Sequence, residues 1–188
     1  MGSDRRNRHA SCYPKVLSPG TVAAMTKVLV TGMSGTGKSS ALAVLGRRGY
    51  RVVDTDDPGW TEWVAAPHEI GGGEWLWVEE RVTELLDRDE DGDLFVQGCV
   101  RNQGKFYRRF DAVVLLSAPA QVILDRIASR TTNDYGKSPA ERELILRHLE
   151  TVEPLLRAGC THELDASRPL DEVVAGLIAI SEALPGTS

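Results

Sequence analysis

No lysine or arginine occurs from Val52 to Glu80, in a chain of 188 residues that carries 22 of them. His68 is the only side chain there that can become cationic. A ligand lying against this stretch is therefore expected to be neutral or aromatic rather than multiply anionic. Cysteine is also scarce. Cys12, Cys99 and Cys160 show no metal-ligand spacing, and an odd, sparse count points to a reducing cytosol rather than a disulfide framework. Any of the three can serve as a small buried hydrophobe. No stretch reaches the ~18 apolar residues of a membrane span. Positive charge is in deficit, with a net charge of −5 and a pI of about 5.4, which argues against a nucleic-acid binder. Residues 1–21 lack the apolar core of a secretory signal. Polar, with Arg5, Arg6, Arg8, Pro14, Pro19 and Gly20 and no periodicity, residues 1–25 are expected to form a disordered leader, with Met25 as the functional beginning.

What is present starts with eight residues, Gly32-Met33-Ser34-Gly35-Thr36-Gly37-Lys38-Ser39. They match G-x-x-x-x-G-K-[ST], the phosphate-binding loop. The glycines allow a tight turn that points several N–H groups inward as an anion nest. Lys38 is placed for the β- and γ-phosphates and the Ser39 hydroxyl for Mg²⁺. The helix opening near Gly37 adds its positive end, which Ser40 shares. The flanks suit the motif. Val28-Leu29-Val30-Thr31 reads as a buried strand, and Ser39 to Leu45 runs apolar into Gly46 and the basic pair Arg47-Arg48, as a helix should.

Downstream, the pattern alternates. Strands are expected at about 27–31, 51–54, 94–97, 112–116 and 162–165. Helices are expected at about 37–48, 74–88, from Pro119 onward, from the capping box Ser138-Pro139-Ala140-Glu141 towards Arg157 with a kink at Pro154, and at 170–183. Residues 57–73 read as irregular. Alternating units of this length predict one α/β domain over 26–185, with a parallel sheet, helices on both faces and ligands beyond the carboxyl ends of the strands. An acceptor-side insertion is expected at about 57–90 and a small lid at about 128–142.

Several residues at that edge carry chemistry. Asp54 and Asp56, spaced i, i+2 at a strand end, divide naturally into two tasks: one holds the metal shell or takes a proton from a hydroxyl, the other hydrogen-bonds the acceptor. Asp57 reads as surface. Arg126 and Arg130, four apart, share a helix face before a polar loop and can stabilise charge on a transferring phosphoryl group. Lys137 and Arg142 are weaker candidates. After the third strand, Gln97 can order water or metal ligands and Arg101 can reach an acceptor anion. Trp60, Trp63, Trp75 and Trp77 bracket the insertion, and at least two should pack it onto the body. Asp165 to Pro169, including Arg168, can wall an adenine pocket.

Together these residues resemble the nucleoside monophosphate kinase and shikimate kinase branch of P-loop proteins, over about residues 26–183. The resemblance rests on GMSGTGKS, an acidic D-T-D after the second strand, a glycine–arginine turn after the third and an arginine-bearing lid. It implies a three-layer P-loop NTPase fold with a five-stranded parallel sheet and a small lid, ATP as phosphoryl donor, and Mg²⁺. It implies nucleotide binding by Gly32, Ser34, Gly35, Thr36, Gly37, Lys38, Ser39, Ser40, Arg126 and Arg168. Metal would be held by Ser39 and Asp54, acceptor by Asp54, Asp56 and Arg101, and catalysis would fall to Lys38, Asp54, Arg126 and Arg130. The chain departs from that branch in having no arginine after the second strand and Gln97-Gly98-Cys99 after the third.

The function this predicts is ATP-dependent transfer of a γ-phosphoryl group to a nucleoside-like, nucleotide-like or hydroxylated small molecule, by a cytoplasmic monomer or homodimer without nucleic-acid or membrane partners. Two alternatives stand beside it. A GTP-binding switch is suggested by D-x-x-G at Asp56–Gly59 and Asp89–Gly92, but no N-K-x-D motif accompanies them. A non-catalytic nucleotide-binding module is the other.

Overall fold

The computed structural model describes residues 25–65, 72–131 and 134–185. The leader up to residue 24, with Cys12, and His68 lie outside the described residues.

Five strands form one all-parallel sheet. β1 (Lys27–Thr31) is central, and the spatial order is β2 (Arg51–Asp54), β5 (Leu94–Gln97), β1, β6 (Ala112–Ser117), β7 (His162–Asp165). β1 is apolar and buried from Val28 onward because both of its faces are covered, as parallel sheets require. Val28 and Val30 join a cluster with Leu42 and Leu45 of α1 (Lys38–Arg47) and Val174 and Leu177 of α6 (Leu170–Ala183). Leu29 points the other way, to a cluster with Val82, Leu85 and Leu86 of α2 (Glu79–Asp87) and with Trp77, Phe106 and Phe110. The result is the three-layer P-loop NTPase architecture. α3 (Ala120–Ser129), α4 (Pro139–Thr151) and α5 (Glu153–Gly159) complete the helices.

Three expectations are corrected. Residues 57–73 are not wholly irregular and 74–77 are not helical. Thr61–Ala65 (β3) and Gly73–Trp77 (β4) pair antiparallel as a hairpin outside the main sheet, with Trp63 opposite Trp75. Aromatic cross-strand pairing outweighs the mixed helical spacing of Leu76 and Trp77. The helix towards Arg157 is not one kinked rod. It breaks at Val152, which ends α4 and opens α5, and Pro154 sits in the first turn of α5. A proline has no N–H and clashes with the carbonyl four residues back, so the break precedes it. Residues Arg101–Arg109 form a 3₁₀ segment, where no element was expected.

Of the tryptophans, Trp77 is buried and Trp60 packs beside it, while Trp63 and Trp75 remain 50% and 57% exposed. Two tryptophans therefore anchor the insertion and two do not. The hairpin is tied down through Asn102, which accepts from the Trp77 main-chain N–H at 3.0 Å and donates to its carbonyl at 3.1 Å. No helix among the described residues is long and apolar enough to cross a membrane.

Candidate nucleotide and acceptor site

β1 ends at Thr31 in the middle of the sheet, and the chain turns at once through three glycines with positive φ: Gly32 (144°), Gly35 (88°) and Gly37 (95°). Gly32 is required twice over, because a Cβ there would lie 2.3 Å from the Leu116 carbonyl oxygen. The Thr36 hydroxyl pins the turn by donating to the Met33 carbonyl at 2.9 Å. Gly37 then caps α1 without a side chain, and the first turn of α1 contains no acid. Its N-terminal amides are therefore left for an anion. Lys38 is buried, and its Nζ donates to the carbonyls of Gly32 at 2.7 Å and Met33 at 3.3 Å. The ammonium thus lies folded over the loop it serves.

A cavity of about 440 Å³ opens above this loop. Ser34, Gly35, Thr36, Gly37, Lys38, Ser39 and Ser40 form its floor. Arg126, Arg130 and Arg168 line it too, and Asp56 is the one carboxylate among the lining residues. Four cations against one acid is the electrostatics of a polyphosphate site. Arg130 reaches Ser34 Oγ at 3.5 Å and the Tyr135 carbonyl, which ties the end of α3 to the loop. Arg168 is engaged by Glu172 at 2.7 Å. Ala166, Leu170 and Val173 add an apolar wall where α6 begins. Ala166 falls inside the expected adenine wall. Leu170, Val173 and the cavity-lining Ser129 were missed, and only their nearness in sequence to Arg168 and Arg130 could have flagged them.

Gly32 supports the turn without lining the cavity. Asp54 is not among the residues that line the cavity. Its Oδ1 accepts from the Asp56 main-chain N–H at 2.9 Å and from Gln97 Nε2. Gln97 Nε2 also donates to Asp56 Oδ2 at 3.2 Å, so one amide bridges both acids. Arg101 lies apart from the cavity, at the start of the 3₁₀ segment, and pairs with Glu74 of the hairpin at 3.0 Å.

In the expected lid, Gly136 turns with φ 88° against Ile127 and Ile145. Ser138 and Glu141 form the capping box, and the Ser138 hydroxyl and main-chain N–H hold the Glu141 carboxyl below its ordinary pKa. Lys137 pairs with Asp134, and Arg142 donates to the Gly136 carbonyl, so neither lines the cavity. Thr132 and Asn133 lie outside the described residues.

Ser39 and Asp54 offer oxygen donors of the kind Mg²⁺ takes. The Ser39 hydroxyl is exposed at the cavity floor, and Asp54 keeps one carboxylate oxygen without a donor among the described residues. Hard oxygen donors, few in number and completed by substrate phosphates, are what this ion takes.

A family model described as an AAA domain matches residues 28–147. Among solved structures, the fold is similar to shikimate kinase from Acinetobacter baumannii in complex with shikimate, at 16% identity and a TM-score of 0.58 over 86% of this chain and 96% of that one. Shikimate kinase from Bacteroides thetaiotaomicron matches at 15% identity and 0.59, over 84% and 98%. A gluconokinase from Sinorhizobium meliloti matches at 22% and 0.52, over 84% and 94%. At such identities the likeness shows the fold alone. No curated protein matches the sequence.

Proposed function

The chain belongs to the AAA domain family, and from that premise we propose that it is an ATP-dependent kinase acting on a hydroxylated small molecule. The observation that carries this reading is the cavity itself: loop amides, Lys38 and three arginines face a space into which Asp56 brings a single carboxylate.

The chemistry follows from that layout. The acceptor oxygen attacks the γ-phosphorus as the bond from that phosphorus to the β–γ bridging oxygen breaks, and ADP leaves. Such transfer needs positioning and charge stabilisation more than covalent help. The loop amides and Lys38 hold the β- and γ-phosphates. Lys38 exchanges its hold on the Gly32 and Met33 carbonyls for the phosphates. Arg126 and Arg130 offset charge on the transferring group. Asp56 takes the proton from the acceptor hydroxyl. Ser39 and Asp54 would hold Mg²⁺, which would supply neutralisation of charge on the phosphate oxygens. The purine lies against Ala166, Leu170 and Val173, with Arg168 at the edge.

The acceptor side supports a neutral partner. Arg101 is matched by Glu74, Lys105 by Glu79, and Arg81 donates to the Gly59 carbonyl at 2.7 Å and lies over the Trp60 ring. A polyol, sugar or nucleoside fits such surroundings better than a phosphate or carboxylate.

The test is ADP release over a panel of nucleosides, nucleotides, sugars and other hydroxylated compounds, with Lys38→Ala alongside. At least one neutral acceptor should stimulate turnover, and the variant should lose roughly 100-fold or more, about 2.7 kcal/mol. Folded, ATP-binding protein that no acceptor stimulates would count against a kinase. A variant equal to its parent would remove the basis of the reading.

A further inference from the structure

Gln97 closes β5 with Val30 of β1 in register on one side and Asp54 of β2 on the other. The three residues before it are buried and apolar, and its own side chain is wholly buried. An amide is costly in such a place unless it finds partners. Both of its partners are acids: Nε2 donates to Asp54 Oδ1 and to Asp56 Oδ2. Charge dictates this orientation, since a carbonyl oxygen turned towards two carboxylates would be repelled. Oε1 accepts no hydrogen bond from any described residue. The glutamine is thus oriented by its donors, and its donors serve only Asp54 and Asp56.

The same residue grips the strand end from its main chain. Its carbonyl accepts from the Thr55 N–H at 3.1 Å and the Thr55 hydroxyl at 2.8 Å. Thr55 Oγ1 in turn accepts from Trp77 Nε1 at 2.9 Å. The adjoining Gly98 leaves no slack, because a Cβ there would lie 2.3 Å from Thr55 Oγ1 and 2.9 Å from the Trp77 ring. Thr55 is therefore locked between its two acidic neighbours, and the amide fixes both carboxylates. One oxygen of each is taken, and the other is left without a donor among the described residues.

We propose that Gln97 is the positioning residue of the acid pair. It clamps one oxygen of Asp54 and one of Asp56, so that the second oxygen of Asp54 faces the metal shell and that of Asp56 faces the acceptor. This rests on the kinase reading above. Gln97 touches neither substrate nor metal; it acts through the two carboxylates.

The test is calorimetry of ATP binding by the full chain, with Mg²⁺ and in EDTA, for the wild type, Gln97→Met, Asp54→Asn and the double variant. In Gln97→Met the gain in ATP affinity produced by Mg²⁺ should fall about tenfold, the scale for losing the residue that orients a metal ligand. Affinity in EDTA should stay within about twofold, which a merely structural residue would not preserve. In the Asp54→Asn background Gln97→Met should cost less than about a further twofold, because the ligand it orients is gone. If Gln97→Met does not fold, Gln97→Leu removes the donor without placing a third acid beside Asp54 and Asp56 and carries the same expectation. An unchanged Mg²⁺ gain, independent losses that multiply in the double variant, or equal losses with Mg²⁺ and in EDTA would each overturn the proposal. A wild-type chain that binds no ATP is a different result and overturns the kinase reading with it.

Discussion

The phosphate loop and the β3–β4 hairpin sit at the same edge of the sheet and are built on opposite principles. The loop is mostly backbone: three glycines at positive φ, a threonine and a lysine that both bond to its own carbonyls. On the proposed reading its phosphate contacts would be set by the turn. The hairpin is mostly side chain: four tryptophans in and around it, one wholly buried and two largely exposed. A triphosphate is the same everywhere, so a turn can be fitted to it once. On the proposed kinase reading the hairpin would meet the acceptor, which differs from one enzyme to the next, and side chains can be exchanged without disturbing a turn.

Three experiments can break or sharpen that contrast. The largest effect is expected at the hairpin's anchor. Trp77→Ala removes a buried ring and the indole N–H that holds Thr55, and should cost roughly 3–5 kcal/mol in denaturant unfolding. Trp75→Ser, two residues away, should cost less than about 0.5 kcal/mol while raising the acceptor KM. Equal costs would mean that the hairpin is a single packed unit.

Next is Gly32→Ala. The methyl would meet the Leu116 carbonyl at a φ that L-residues avoid. About 2 kcal/mol of stability should go, together with MgATP binding in calorimetry. Intact binding would show that side chains rather than the turn recognise the phosphates.

The last experiment lies outside both regions and sets a baseline for them. Arg157 and then the Ser117 hydroxyl hold the Glu163 carboxyl below its ordinary pKa. Since the folded form has the lower pKa, this stabilisation is present above the ordinary value and is lost as pH falls through the lowered one. Glu163→Gln should cost under about 1 kcal/mol at pH 7, and the difference should shrink below about pH 4 in thermal melts.

Much of the phosphate loop's geometry was legible in the sequence, and for one reason. Its contacts depend on residues adjacent in the chain, from Val28 to Leu45, and each glycine has a local cause. The capping box at Ser138 was legible for the same reason. The hairpin was not, because its strands are separated by a long connection and their pairing is a contact between Trp63 and Trp75 that neither segment announces. Trp75-Leu76-Trp77 beside three glycines was the available signal for a strand. The 3₁₀ segment is polar over most of its length and carries no clear period. Asp54 and Asp56 are neighbours in sequence, but that only Asp56 of the two lines the cavity could not be read there, because it is decided in three dimensions, where both acids meet Gln97 of a strand distant in sequence.

On the proposed kinase reading, the way the hairpin is hung has a consequence for how such an enzyme would change its diet. One asparagine clasps the main chain of Trp77 from both sides, one indole plugs into the body, and β3 is largely open to water. Everything beyond that peg is a cartridge. Graft a different ribbon onto the same peg, and the motor beneath it, with its fuel port and acid pair, is left as it was.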